Sequence, residues 1–194
     1  MTIPTEEDQQ QQAKETLAYI RRTMESASSF TAVSGWGLVA VGGVGLLAAG
    51  LAWSGGSPAD LRVWLPAALV SISAATVANG AKARRLRAPV WSGAVRKTVW
   101  VMTPVLAAGA LLTFALAREQ VMHLLPGTWL ALYGAGVSAG GVFSVRAIRG
   151  MGIAFLVLGA GALLWPSQGL LFLAMGFGGL HVAVGLDIVW RHGG

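Results

Sequence analysis

Residues 33–53 read VSGWGLVAVGGVGLLAAGLAW, a stretch without a charged side chain. An α-helix rises about 1.5 Å per residue, so this stretch is long enough to cross the roughly 30 Å hydrocarbon core of a bilayer. Five further stretches are similarly apolar. We therefore predict six transmembrane helices, at 33–53, 61–79, 99–117, 127–145, 150–165 and 169–190. The fifth of these is the shortest.

The composition of the whole chain supports a membrane protein. Of 194 residues, 55% are hydrophobic and 11% are charged, whereas soluble domains carry about 25% charged residues. These values exclude a disordered chain, a soluble nucleic-acid binder and an ordinary cytosolic enzyme. The predicted fold class is all-α, a six-helix transmembrane bundle of three helical hairpins over residues 33–194. Cysteine is absent, which excludes disulfides and thiolate chemistry.

The segment 1–32 precedes the first apolar run and predicts a cytoplasmic amphipathic helix over 5–28. Its apolar residues are spaced by four and three positions, as on one face of a helix: Ala13, Leu17, Ile20, Met24 and Ala27. Two heptads are too few for an independent coiled coil. The helix either docks a partner or a second copy, or lies on the inner surface against the lipid headgroups or the basic loop after the second span.

The basic residues predict the orientation in the membrane. With the N-terminus inside, twelve of the fourteen Lys and Arg residues fall on the inner side, and only Arg62 and Arg118 fall outside. Cytoplasmic loops carry such an excess, so both termini are expected in the cytoplasm of a bacterial inner membrane. Seven tryptophans near the ends of the spans predict aromatic belts at the two interfaces: Trp36, Trp53, Trp64, Trp100, Trp129, Trp165 and Trp190.

Six basic residues cluster in the predicted loop after the second span, with no acidic residue among them: Lys82, Arg84, Arg85, Arg87, Arg96 and Lys97. Such a loop is typical of the cytoplasmic face and of contact with anionic lipid headgroups. A cytoplasmic protein partner is the alternative. The cluster does not indicate nucleic-acid binding, because the rest of the chain has no net charge.

Two polar residues within the last span are candidate site residues. Asp187 is the only acidic residue inside a predicted span, so it should have a partner. We expect a structural ion pair with Arg191, four positions later, or with Arg146 and Arg149 at the end of the fourth span. His181 lies near the middle of the same span and should hydrogen-bond a Ser or Thr or a carbonyl group.

A ligand or ion site is the alternative role for these polar residues. Ser73, Thr76 and Asn79 are three apart in the second span and share one side of a helix. If the second and sixth spans face each other, these three residues would line a small cavity with His181 and Asp187. Interhelical hydrogen bonding would explain the same residues without a ligand.

Small residues predict close contacts between helices. Gly136 and Gly140 form a GxxxG pattern, and Gly178 and Gly179 lie in a glycine-rich part of the last span. Small residues allow helix backbones to approach closely in lipid. These glycines are expected to pack inside the bundle or on an oligomer face.

Motifs for catalysis and for cofactors are missing from the sequence. It has no HExxH, P-loop or GxSxG pattern and no paired carboxylates within one span. The histidines are too far apart in the chain for a metal site. We therefore expect no enzyme activity, no cofactor and no metal.

Three stretches, at 21–37, 125–152 and 175–194, resemble a family of small, uncharacterised bacterial membrane proteins. The glycine-rich hairpins also look similar to those of the six-helix, HdeD-type acid-resistance membrane proteins. These resemblances imply six helices and a membrane partner, but no substrate. The leading hypothesis is a non-enzymatic accessory, regulatory or scaffolding subunit. The alternative is a small-solute or ion transporter that uses the polar residues of the second and sixth spans.

Overall fold

The computed structural model describes residues 6–28, 33–55, 57, 59–87, 89–91, 93–141 and 146–192. Within these ranges all regular secondary structure is helical, so the all-α prediction is confirmed. The helices are α1 (Glu6–Ser28), α2 (Gly35–Gly55), α3 (Leu61–Arg85), α4 (Gly93–Arg118), α5 (Leu125–Gly140), α6 (Arg146–Leu164), α7 (Gly169–Leu173), a π-helical segment (Ala174–Leu180) and α8 (His181–His192). Short 3-10 turns lie at Met122–Leu124 and Pro166–Gln168.

Among the described residues, five stretches, rather than the six predicted, form helices long and apolar enough to cross a membrane: Gly35–Gly55, Leu61–Arg85, Val95–Arg118, Arg146–Leu164 and Pro166–Arg191. They are compatible with a multi-pass membrane protein. The fourth predicted span is the exception, because α5 has only 16 residues and positions 142–145 lie outside the described residues.

The helices extend beyond the predicted spans where charged residues continue them. The fifth predicted span, expected to be the shortest, is 19 residues long because α6 begins at Arg146. Likewise α3 continues six residues beyond the predicted Asn79, to Arg85. Lys and Arg end a hydropathy window, yet they are good helix formers.

The helices form two closely packed pairs, each with one further helix at its side. The two pairs are α5 with α6, and α2 with the π-helical segment and α8. Helix α3 packs on α2, and α4 packs on α5, whereas α3 and α4 barely contact each other. Within the described ranges, α1 makes no extensive contact with any other helix.

Glycines set the close approach of α2 to the last span. A Cβ added at Gly42 would lie 2.8 Å from the carbonyl oxygen of Gly178, and one at Gly185 would lie 2.8 Å from that of Gly35. Real Cβ atoms do not approach backbone atoms so closely. The two helices are therefore in backbone contact, which side chains larger than hydrogen would prevent.

Glycines seven residues apart line the α5–α6 interface. Gly127 and Gly134 recur on α5, and Gly152 and Gly159 recur on α6. A Cβ at Gly134 would lie 2.7 Å from the amide nitrogen of Leu156. A Cβ at Gly159 would lie 2.6 Å from the amide nitrogen of Ala131 on α5. The repeat of seven keeps one face of each antiparallel helix against its neighbour.

The start of α2 is fixed by hydrogen bonds from α3. Ser34 caps α2, since its Oγ accepts from the amide of Gly37 at 3.1 Å. The amide of Ser34 donates to Oδ1 of Asn79 at 2.8 Å, and Nζ of Lys82 donates to the carbonyl oxygen of Val33 at 3.2 Å. These polar contacts satisfy backbone groups at a helix terminus that would otherwise lack partners.

Candidate functional site

The weak contact between α3 and α4 leaves a cleft of about 510 Å³ between them. Its wall is almost entirely apolar, with Ala68 and Ala75 from α3 and Leu106 and Ala110 from α4. Residues of α2, α5 and the π-helical segment form the inner wall. Helices α3 and α4 are each supported along one side only, which is why the space between them is not filled by side chains.

Two of the tryptophans predicted for the interfacial belts line this cleft. Trp64 of α3 and Trp129 of α5 are both half-buried there, whereas Trp36, Trp53, Trp100, Trp165 and Trp190 are exposed. Nε1 of Trp129 donates to the hydroxyl of Thr113 at 3.0 Å. The Trp129 ring also lies against Gly109, where a Cβ would be 2.9 Å from the ring atom Cζ2. These contacts fix α4 on α5.

At the inner wall of the cleft, Tyr133 of α5 meets His181 of α8. Tyr133 Oη lies 3.0 Å from His181 Nε2, and both residues line the cavity. His181 is only 1% exposed. Its ring stacks on Phe177 at a centroid distance of 6.1 Å and meets Phe155 edge to face at 5.5 Å. The polar pair is thus held in an aromatic surrounding.

The partners of the His181 ring determine where its proton lies. Nδ1 is 3.4 Å from the carbonyl oxygen of Gly176, which can only accept. Nδ1 therefore carries the hydrogen, and Nε2 is the acceptor. It follows that the Tyr133 hydroxyl donates to Nε2 and keeps its own lone pairs for another partner.

The π-helical segment places Gly176 beneath the His181 ring. A π-helix has wider turns than an α-helix and often occurs at functional sites. Gly176 is buried, and a Cβ there would lie 2.9 Å from the ring atom Cε1 of Phe155. Only glycine therefore fits at this position with Phe155 in its observed place.

The structure does not bring together the five polar residues predicted to share a cavity. Only His181 of the five lines the cleft. Ser73 and Thr76 are exposed, and each hydroxyl donates to a carbonyl of its own helix, at 2.8 and 2.7 Å. Asn79 accepts from the amide of Ser34 and so supports a helix start. In α3 the residues that line the cleft are Ser71, three alanines and the larger side chains of Leu61, Trp64, Leu65 and Ile72.

Asp187 pairs with Arg191 at the end of α8. Arg191 Nε donates to Asp187 Oδ1 at 2.6 Å, and the two side chains are 73% and 37% exposed, Arg191 first. Within the part of the chain that the structure describes, no ion pair links Asp187 to Arg146 or Arg149, both of which are exposed. The expected link between the last span and the fourth is therefore not formed by these charges.

The predicted basic loop is mostly helical. Lys82, Arg84 and Arg85 belong to the last turn of α3, and Arg96 and Lys97 belong to the first turns of α4. Arg87 lies in the turn between the helices with φ 52°. Lys82 is 8% exposed and hydrogen-bonded to Val33, so it supports α2 and is not available to headgroups. The other five are exposed.

The four glycines predicted for helix packing differ in their surroundings. Gly136 faces Val105 of α4, and Gly178 faces Leu46 of α2. In contrast, Gly140 has no atom within 4 Å of an added Cβ, and at Gly179 the nearest is 4.0 Å away. The GxxxG pattern therefore does not mark one continuous contact.

Sequence reasoning missed the residue that partners His181. It pointed to a Ser or Thr hydroxyl or to a carbonyl, and the carbonyl of Gly176 is present. Tyr133 was overlooked, although the chain has only two tyrosines and this one lies in an apolar span. A hydroxyl in such a span needs a hydrogen-bond partner, and this requirement would have identified Tyr133 as a candidate partner of His181.

No protein-family model, no curated protein and no solved structure matches this chain. Among the described residues, no group of three or more His, Asp or Glu side chains could hold a metal ion. The cleft and the residues around it are therefore the features of this protein that bear on its function.

Proposed function

We propose that this protein is a non-enzymatic integral membrane subunit, accessory or regulatory in kind, that takes a lipophilic molecule from the bilayer into the cleft between α3 and α4. It acts in a bacterial inner membrane with both termini in the cytoplasm, which requires the shorter helix α5 to cross as a sixth span. Its exposed arginines at the ends of α3 and α4 contact anionic lipid. Its partner is another membrane polypeptide or a second copy of the chain, which α1 recognises through its apolar face.

The observation that carries this proposal is the size and chemistry of the cleft. Its volume of about 510 Å³ lies within the roughly 300–1,000 Å³ of small-molecule sites. Its wall offers mostly apolar side chains and the polar pair Tyr133 with His181. The Trp129–Thr113 hydrogen bond and the Ser71 hydroxyl are the other polar groups in the wall. An apolar wall binds an apolar molecule and gives little stabilisation to an ion or a sugar.

The same volume argues for a small molecule rather than a helix of a partner protein. A spanning helix about 30 Å long and 10 Å wide fills roughly 2,400 Å³. That is several times the volume of the cleft. Such a helix would require α3 and α4 to separate widely, whereas one lipophilic molecule would fit between them as they stand.

A small-solute or ion transporter has less support. Ser73 and Thr76 bond to their own helix, and Asp187 pairs with Arg191. Transporters usually bind substrate at interrupted helices with polar groups near the midplane. The π-helical segment is an irregularity of that kind, but the cleft beside it is apolar.

The test introduces a large side chain into the cleft and, as a control, the same side chain at a nearby position of the same helix outside the cleft. Ala110 of α4 lines the cleft, whereas Ala107 is exposed and outside it. We expect the wild type and Ala107→Phe, extracted from native membranes, to retain a lipophilic molecule in native mass spectra. Ala110→Phe should lose it. Equal occupancy in all three proteins, or none in the wild type, would contradict the proposal.

A further inference from the structure

We infer that the molecule bound in the cleft is a neutral lipophilic alcohol whose hydroxyl group donates a hydrogen bond to Tyr133. This inference depends on the proposed function, because it specifies the ligand of the same cleft. It follows from the hydrogen-bond chain that begins at Gly176 and ends at the cavity wall.

The first step concerns His181. Its Nδ1 faces the carbonyl oxygen of Gly176, and its ring is clamped between Phe155 and Phe177. The ring cannot turn without losing these contacts, and a carbonyl cannot donate. The proton therefore stays on Nδ1, and Nε2 is fixed as an acceptor.

The second step concerns Tyr133. Its hydroxyl hydrogen is committed to Nε2 of His181 at 3.0 Å. The hydroxyl oxygen still has acceptor capacity, and a hydroxyl that donates is a better acceptor, because hydrogen bonds in a chain polarise one another. Toward the cavity Tyr133 therefore acts as an acceptor, and its bound partner must be a donor.

The third step concerns the other polar groups in the wall. The Thr113 hydroxyl already donates to the carbonyl of Gly109 at 2.7 Å and accepts from Trp129. Ser71 has a hydroxyl that can donate or accept, so it does not distinguish an alcohol from an ether. Tyr133 is therefore the residue of the wall that distinguishes a ligand that donates a hydrogen bond from one that only accepts.

The charge and shape of the ligand follow from the wall. Among the described residues that line the cleft there is no Asp, Glu, Lys or Arg, so a charged headgroup would be buried without a counterion from them at a high cost. The rings of Trp64, Trp129 and Phe177 line the cavity and suit an unsaturated or cyclic hydrocarbon. A neutral prenyl or polycyclic alcohol has these properties.

The test uses geranylgeraniol, its methyl ether and the corresponding aldehyde as probes. Each competes with tritiated geranylgeraniol for the full chain in detergent. The alcohol should bind about fivefold more tightly than the ether or the aldehyde, which is the effect of one neutral hydrogen bond. Tyr133→Phe should bring the three affinities together, and Tyr19→Phe, at the other tyrosine, should keep the difference.

The outcomes separate the two proposals. If the three probes bind the wild type equally, or if Tyr133→Phe keeps the preference for the alcohol, the hydroxyl inference is wrong and the cleft still binds lipophiles. If no probe displaces the label at all, the proposed function is contradicted as well. Should Tyr133→Phe fail to fold, the three probes on the wild type decide the inference alone.

Discussion

Tyr133 and His181 are 48 positions apart in the chain, yet Tyr133 Oη lies 3.0 Å from His181 Nε2. The contact joins α5 to α8 and so connects the two closely packed helix pairs of the bundle. A hydrogen bond between buried groups costs most when only one partner is removed. This asymmetry makes the pair accessible to a double-mutant cycle.

The first prediction is that the two residues are energetically coupled. His181→Phe leaves the Tyr133 hydroxyl without its acceptor, which should lower the free energy of unfolding by about 1–3 kcal/mol. Tyr133→Phe should cost about 1 kcal/mol. The double variant should cost less than the sum of the two, as measured by unfolding in mixed micelles with a denaturing detergent. Strict additivity would show that the contact is energetically irrelevant.

The second prediction compares two adjacent glycines of α2. Gly42→Ala places a Cβ 2.8 Å from the backbone of Gly178, whereas Gly43→Ala meets nothing within 4 Å. We expect Gly42→Ala to destabilise the protein by about 1–3 kcal/mol through overpacking. Gly43→Ala should be neutral or slightly stabilising, since alanine is the better helix former. Thermal unfolding in detergent measures both, and equal effects would refute the contact between α2 and the π-helical segment.

The third prediction concerns the polar residues of α3. Asn79→Ala removes the acceptor for the Ser34 amide at the start of α2, which should cost about 1 kcal/mol. Ser73→Ala is the matched control, because its hydroxyl bonds only to a carbonyl of its own helix. A shift in melting temperature is expected for Asn79→Ala alone. A larger shift for Ser73→Ala would contradict the assignment of these roles.

The fourth prediction concerns Asp187. Its ion pair with Arg191 is well exposed, and exposed pairs contribute about 0–1 kcal/mol. Asp187→Asn should therefore leave stability nearly unchanged, and Arg191→Gln should behave in the same way. The free energy of unfolding of each variant, measured at low and at high salt, checks this prediction. A loss well above 1 kcal/mol in either variant would mean that Asp187 has a role beyond this pair.

The fifth prediction concerns orientation. The chain has no cysteine, so a single introduced cysteine is the only thiol that a maleimide can label. Ser57→Cys, between α2 and α3, should be labelled by an impermeant maleimide in intact cells with a permeabilised outer membrane. Val90→Cys, between α3 and α4, should be labelled only after the inner membrane is opened, because basic residues favour the cytoplasmic side. The reverse pattern would invert the proposed topology.

The helices were predictable from sequence because hydropathy is a local property. The apolar run 99–117 lies within α4, and the run 33–53 lies within α2 except for its first two residues. Helix ends were less predictable, because Lys82–Arg85 and Arg146 extend helices although they are charged. The short α5 was missed for the complementary reason, since apolar residues continue past its last described turn at Gly140.

The candidate site could not be predicted in the same way. Spacing alone makes Ser73 and Thr76 look like one wall of a cavity, but α3 turns Ser71 and Ala75 toward the cleft instead. The rotation of a helix about its axis depends on its neighbours, which no local pattern specifies. His181 was identified because a histidine in an apolar span is conspicuous on its own. To predict its partner, Tyr133, one would have to know that α5 lies beside the π-helical segment.

The seven-residue glycine spacing of α5 and α6 bears on how this sequence can change over evolutionary time. Gly134, Gly152 and Gly159 leave no room for a side chain, whereas the outward residues of α3 and α4 need only stay apolar. Exchange among leucine, valine and isoleucine costs little at such outward positions. Diverging descendants can therefore lose most of their pairwise identity and still keep this glycine register, which makes the register a better mark of common ancestry than overall similarity.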